Sequence, residues 1–328
     1  MRLATFNLES LDLGPKAQVA FETRAAVLRP ALERIASDIL CLQEVNGQRV
    51  SGQAERQLLA LDCLLEGTPY QHYVRATTMG ASGRGVASVH NLVTLSRFPI
   101  VAQREVLHEL VPPPLHTGLT AQPGRGEQMP VHFDRPLLLT EIALPGGGAL
   151  AVINVHLRAP LASPVAGQKT GPFAWRSTGG WAEGFFLSAL KREAQALELR
   201  LLVEQLLSHD PAKLIVVAGD FNAEDYGPTL RLAIASEEDV GASGLAAHSL
   251  VVLDRAIAGD RRWSVLHHGR AQMLDHILAS RALYGHFRHI EVHNEGLGDE
   301  ALGYGKAIHS AASYHAPVVA EFEMSTTV

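Results

Sequence analysis

Six segments of the chain set carboxylates, carboxamides or imidazoles at the edges of apolar runs. These are the groups that hold hard cations and move protons. In LIVVAGDFNAEDYG, five apolar residues from Leu214 to Ala218 climb to Gly219 and break into Asp220, Phe221 and Asn222. Residues i and i+2 of a strand share a face, so Asp220 and Asn222 would project together while Phe221 returns to the core. Gly219 would let another group approach the backbone closely. Asn7 lies in LATFNLES, Glu44 in ILCLQEV, His156 in AVINVHL, Asp275 in MLDHILAS and His315 in SYHAPVVAEF. Each alone reads as a strand end, a turn former, a capping group or an ion-paired carboxylate. Six such coincidences in one chain are hard to accept as independent.

Those edges need strands beneath them. Residues 2–6 read as a strand leading to Asn7, SDILCLQEV as a buried strand, and 213–219 as the strand under Asp220. Further strands are expected at 70–76, 89–95, 101–107, 137–144 and 150–155, the last two joined by the hairpin PGGG. Four more are expected at 249–252, 273–278, 288–293 and 317–323. Helical spacing covers 17–35, 53–65 and 183–208. Two long loops stand out, at about 112–135 and 158–183, and loops of that length are often functional. No repeat and no long polar linker divides the chain, so 1–328 is expected to form a single α/β catalytic domain.

Bulk properties narrow the class. With 328 residues, 47% of them hydrophobic and 19% charged, the chain can bury a large core. Its apolar runs stop short of the roughly 18 residues that would cross a bilayer, and no secretory leader is visible. Cys41 and Cys63 sit in apolar contexts and read as core hydrophobes, which fits a reducing cytoplasm. A net charge of −6, with no basic run, argues against strong nonspecific duplex binding without excluding nucleic acid. The His267–His268 pair lacks the spacing of a zinc site and reads as a polar loop. Nothing points to a protein partner.

The ordered set Thr5-x-Asn7, Gln43-Glu44, Leu95 to Ile100 (LSRFPI), Asn154-x-His156, Gly219 to Asn222 (GDFN), Leu274 to Ile277 (LDHI) and Ser313-x-His315 resembles the endonuclease/exonuclease/phosphatase superfamily. That group contains deoxyribonucleases, apurinic endonucleases, inositol-polyphosphate phosphatases, deadenylases and neutral sphingomyelinases. The resemblance spans nearly the whole chain. It implies a four-layer α/β sandwich, two mixed β-sheets face to face with helices outside. It also implies a Mg²⁺-dependent phosphodiesterase, with Mn²⁺ as a substitute. Phosphodiester hydrolysis asks for a hard cation, an activated water and charge stabilisation at phosphorus. By the resemblance, Glu44 is the leading metal ligand with Asn7 beside it. Asp220 takes the proton of the attacking water or positions it, and Asn222 holds a phosphate oxygen. His315 is polarised by Asp275, and His156 serves the scissile phosphate or the departing oxygen.

Two departures matter. The last motif usually reads Ser-Asp-His, but Tyr314 stands in place of the aspartate, which leaves one Mg²⁺ as the expectation. Histidine at position 156, where apurinic endonucleases carry tyrosine, moves the reading away from abasic-site repair. A nuclease is the first reading, then a phosphomonoesterase or sphingomyelinase-like lipid phosphodiesterase, then a catalytically weak binding protein that keeps the fold. The loop after His156 offers Arg158, Lys169 and Arg176 for phosphates and Trp175 for substrate contact, among aromatics that otherwise anchor the loop.

Overall fold

The computed structural model describes residues 1–14, 19–124, 126–301 and 310–324. Two six-stranded mixed sheets dominate it. The first contains β1 (Arg2–Leu11), β2 (Ile39–Val45), β3 (Val74–Thr77) and β4 (Asn91–Ser96). The second contains β5 (Ile100–Val106), β6 (Leu137–Ala143), β7 (Ala149–His156), β8 (Leu214–Asp220), β9 (Leu250–Val252) and β10 (Asp275–Ser280). The chain then returns to the first sheet with β11 (Phe287–Val292) and β12 (Val318–Phe322). Strand order is β11-β12-β1-β2-β4-β3 in one sheet and β9-β10-β8-β7-β6-β5 in the other.

Each sheet has one parallel pair at its centre, β1 with β2 and β7 with β8, and the remaining pairs are antiparallel. A parallel pair needs a crossover, and a helix supplies it in both cases. Helix α1 (Phe21–Ile35) links β1 to β2, and α3 (Thr178–His209) links β7 to β8. Helix α2 (Leu59–Leu65) lies between them in sequence, and α4 (Pro228–Ile234) follows β8, starting on a proline that suits a first helical turn.

Burial follows the layers. Leu3, Ile39, Cys41 and Val318 of the first sheet meet Ile142, Val152, Val216 and Ile277 of the second in one apolar core between the sheets. Leu28, Leu32, Leu61 and Leu64 of α1 and α2 cover the outer face of the first sheet. Leu199, Leu202, Val203 and Leu230 of α3 and α4 cover the second. The result is the expected four-layer sandwich. A buried polar tie crosses its centre: Gln43 Nε2 donates to Asn154 Oδ1 at 2.8 Å and to Thr5 Oγ1 at 3.0 Å. The motif residues Thr5, Gln43 and Asn154 thereby set how the sheets register on one another.

Several expected boundaries move. The 53–65 helix begins only at Leu59, because Arg56–Gln57 pairs with Gln48–Arg49. Residues 69–72 form a 3₁₀ turn before the short strand β3. The first helix is observed from Phe21, and residues 17 and 18 lie outside the described residues. The second long loop is irregular only to 177, where Ser177 accepts from Gly180 N and caps α3. The first long loop holds a small hairpin, 115–117 with 128–130. A second hairpin, 265–267 with 270–272, carries the His267–His268 pair.

Candidate active site

The two parallel pairs end side by side, and their carboxyl ends build the site. Regular pairing of β1 with β2 breaks after Asn7, and β2 bulges at Glu44. In the other sheet, His156 and Asp220 are cross-strand partners at the last rung of β7 and β8. The antiparallel neighbours start where these strands finish. Asp275 opens β10 opposite Asp220, and His315 stands just ahead of β12. Topology thus delivers Asn7, Glu44, His156, Asp220, Asp275 and His315 to one end of the sandwich, whereas Leu95 to Ile100 turns at the other, where Ser96 pairs with Ile39.

Hydrogen bonds join the two sheets there. Asn7 Nδ2 donates to Asp220 Oδ2 at 3.1 Å and to Glu44 Oε1 at 3.3 Å. Its Oδ1 accepts from Glu9 N, so Asn7 bridges the two carboxylates. Ser10 holds Glu44 Oε2 through its backbone N and its hydroxyl. His156 Nε2 stands 3.4 Å from Asp220 Oδ2 and 3.7 Å from Glu44 Oε1. His315 Nδ1 donates to Asp275 Oδ2 at 2.8 Å, and Ser264 Oγ donates to the same oxygen at 2.7 Å.

Asp220 and Asn222 converge, but not as strand neighbours. Strand β8 stops at Asp220, and Asn222 adopts a left-handed φ of 50°. Its backbone N donates to Asp220 Oδ1, and its Nδ2 donates to Asp220 Oδ2 and Leu157 O. One amide hydrogen is spent inside the turn and the other on Leu157 O, just past β7. That placement orients Asp220 and leaves Asn222 no amide hydrogen for a phosphate oxygen. Phe221 is buried in the core of the second sheet. Gly219 lies so close to β7 that a Cβ would meet Val155 O at 1.9 Å. Glu9, Glu44 and His90 also hold left-handed φ values of 51°, 59° and 57°, a strain that clusters at functional sites.

Charge divides the roles. Burial, then the nearby negative Asp275, pushes the Asp220 carboxyl up to about 7. Burial alone would raise Glu44 too. His90, His315, Arg135 and the Asn7 bond outweigh it and hold Glu44 below the usual carboxylate range. Burial, reinforced by Arg135, keeps His156 well below the ordinary histidine range and neutral. For His315 burial acts in the same sense, but Asp275, Asp220 and Glu44 overcome it and hold the imidazole well above its ordinary value.

The donor set suits a hard divalent cation. Glu44, Asp220 and Asp275 supply oxygens, and Asp275 Oδ1 is buried without a hydrogen-bond partner among the described residues. Donor atoms of Asp220, Asp275 and His315 lie within 4.8 Å of one another. Where the superfamily places an aspartate, Tyr314 is buried, and its backbone N donates to the carboxylate of Glu9.

Two residues at the site escaped the sequence reading. His90 Nε2 is 3.8 Å from Glu44 Oε2, and its ring centroid lies 6.1 Å from that of His156. Arg135 Nη2 lies 3.4 Å from His90 Nδ1, and its Nη1 is buried without a partner among the described residues. His90 precedes the apolar run of β4, so the signal that marked the other edge residues was present there. The proposed loop contacts are otherwise employed. Arg158 donates to Asp134, Ser188 Oγ and Leu161 O. Trp175 lies under the ammonium of Lys169 and packs beside Gly184 of α3. Arg176 Nε donates to Gly167 O.

A family model, described as the Endonuclease/Exonuclease/phosphatase family, matches residues 4–315. No curated protein matches the sequence. Truncated TDP2 from Caenorhabditis elegans is similar in structure at 15% identity, with a TM-score of 0.55 over 98% of this chain and 96% of that one. So is the 3′ phosphatase NExo from Neisseria, solved with a product DNA hairpin, at 18% identity and a TM-score of 0.52 over 99% of this chain and 100% of that one. An AP endonuclease from Archaeoglobus fulgidus follows at 16% identity, with a TM-score of 0.50 over 99% and 100%. At these identities the likeness is one of fold.

Proposed function

The chain belongs to the endonuclease/exonuclease/phosphatase family, and from that premise we propose that it is a Mg²⁺-dependent phosphodiesterase of the nuclease kind. One observation carries the reading. A buried carboxyl pushed up to about 7 sits in hydrogen-bond contact with a group that touches an ionised Glu44. A base poised near neutrality beside an anionic cation ligand is the pairing that water-driven ester hydrolysis needs.

Glu44 would hold the cation, with Asn7 beside it. Bound there, Mg²⁺ supplies charge neutralisation at the phosphate and acidifies water. Asp220 accepts the proton of the attacking water, aimed by Asn7 and Asn222. His315, kept protonated by Asp275, and Arg135 offset negative charge gathering on the phosphate oxygens. Neutral His156 hydrogen-bonds the phosphate or serves the departing oxygen. Among the similar structures, one is described as a 3′ phosphatase bound to product DNA and another as an AP endonuclease. Nucleic acid is therefore the substrate class read here. A reducing compartment suits the two free thiols, Cys41 and Cys63. Among the described residues no helix is long and apolar enough to cross a membrane.

Hydrolysis of bis-p-nitrophenyl phosphate and of its monoester, with Mg²⁺ or Mn²⁺ and after EDTA, tests the reading. The diester is expected to be cleaved faster, and EDTA to stop cleavage. Asp220→Ala or His315→Ala at near wild-type rates would sink the site assignment.

A further inference from the structure

The two sheets are open at their adjacent edges, and a cavity of about 750 Å³ lies between edge strands β3 and β5. Its inner end is the reactive centre itself, since His90 and Arg135 line the cavity as well as facing Glu44 and His156. The volume falls in the range that holds a small molecule. It far exceeds what a lone phosphate needs.

The lining discriminates among groups that could be esterified to that phosphate. Apolar surface comes from Met79, Val89, Leu107, Pro136 and Leu138. Polar edges come from Thr77, Gln103 and Glu105, and from the backbone of the Gly80 to Gly85 turn. Glu105 accepts from Met79 N at 2.5 Å, which fastens that turn to β5 and closes the cavity on one side. An acyl chain would strand the Glu105 carboxylate against hydrocarbon. An inositol polyphosphate would need surplus cations, but Arg104 is paired with Glu109 and Arg158 with Asp134. A nucleoside offers flat faces to the aliphatic walls and N–H donors to the carboxylate and amide.

We propose that this cavity is a specificity subsite that takes one unpaired nucleoside of the substrate, its phosphate lying against His90 and Arg135. The substrate is then a strand end or a single-stranded residue, because a base held there has left its partner. This rests on the nuclease reading of the same site.

Titration calorimetry of the full chain in Mg²⁺, with deoxynucleoside 5′- and 3′-monophosphates and with inorganic phosphate, reads the subsite without turnover. At least one nucleotide is expected to bind about tenfold or more tightly than phosphate, the surplus coming from the buried nucleoside. Gln103→Trp, which fills the cavity from an exposed strand position, should shrink that advantage to about twofold or less. Equal affinities for nucleotide and phosphate in the unmodified protein would overturn the proposal even if Gln103→Trp failed to fold. So would an advantage that survives in a folded Gln103→Trp. Failure of the nuclease reading shows separately, as absent hydrolysis of bis-p-nitrophenyl phosphate whatever the calorimetry gives.

Discussion

Gly219→Ala is the sharpest test of how the strands aim the site, because it alters no reacting group. A Cβ at position 219 would lie 1.9 Å from Val155 O and 2.8 Å from the carbonyl carbon. Real Cβ contacts essentially never fall under 3.0 Å, so β7 and β8 must part by roughly 1.1 Å, the difference of 3.0 and 1.9. The obstacle is backbone, and no side-chain rotation relieves it. One residue further along, the same two strands present His156 and Asp220 as partners, so the displacement passes directly to the proposed base. A misplacement of about 1 Å costs on the order of a hundredfold in rate. Forcing the contact should also cost about 1–3 kcal/mol of stability. The assay is kcat/KM on bis-p-nitrophenyl phosphate, with thermal unfolding and circular dichroism to show that the fold persists. A folded Gly219→Ala within twofold of wild type would refute the claim that this strand contact aims Asp220.

Other consequences can be checked together. Asp220→Asn should lower kcat about a hundred- to ten-thousandfold, and the wild-type rate should rise as pH climbs through about 7. In stability the sign is opposite. A carboxyl whose folded pKa lies above its unfolded value favours the fold at low pH and loses that contribution as pH rises from about 4 to 7. The Tm of Asp220→Asn should therefore exceed wild type at pH 8 and approach it at pH 4. Glu183 of α3 accepts from His116, from Leu119 N and Thr120 N, and from the Thr120 hydroxyl, pinning the first long loop. Burial opposes its ionisation, but these bonds prevail and hold it down to about 2. Glu183→Gln should lower Tm at neutral pH by an amount that shrinks as pH falls from about 4.5 towards 2, and an unchanged difference across that range would refute it.

Much of this protein was legible in its residue order. Apolar runs that stop at Asn7, Glu44, His156 and Asp220 announced buried strands with polar tips, because alternation and burial are local properties. The four-layer sandwich followed from the resemblance that the ordered motifs carry. What the order could not disclose was company. Asn222 sits beside Asp220 through a left-handed turn, whereas strand alternation would have put it there by another route. Arg158 carries no sign in the sequence of its pairing with Asp134, 24 residues away. His90 and Arg135 carry no motif, and they matter only because the sheets bring them to Glu44 and His156. The pKa split between buried Asp220 and half-buried Glu44 likewise depends on which charges stand nearby. Sequence by itself determined which side chains could do chemistry and on which strand tips they stand, since that rests on contacts within a few residues. Tertiary structure alone decided which of them meet and which one carries the proton. Coulomb and desolvation energies act through space and depend on neighbours set by the packing of the two sheets.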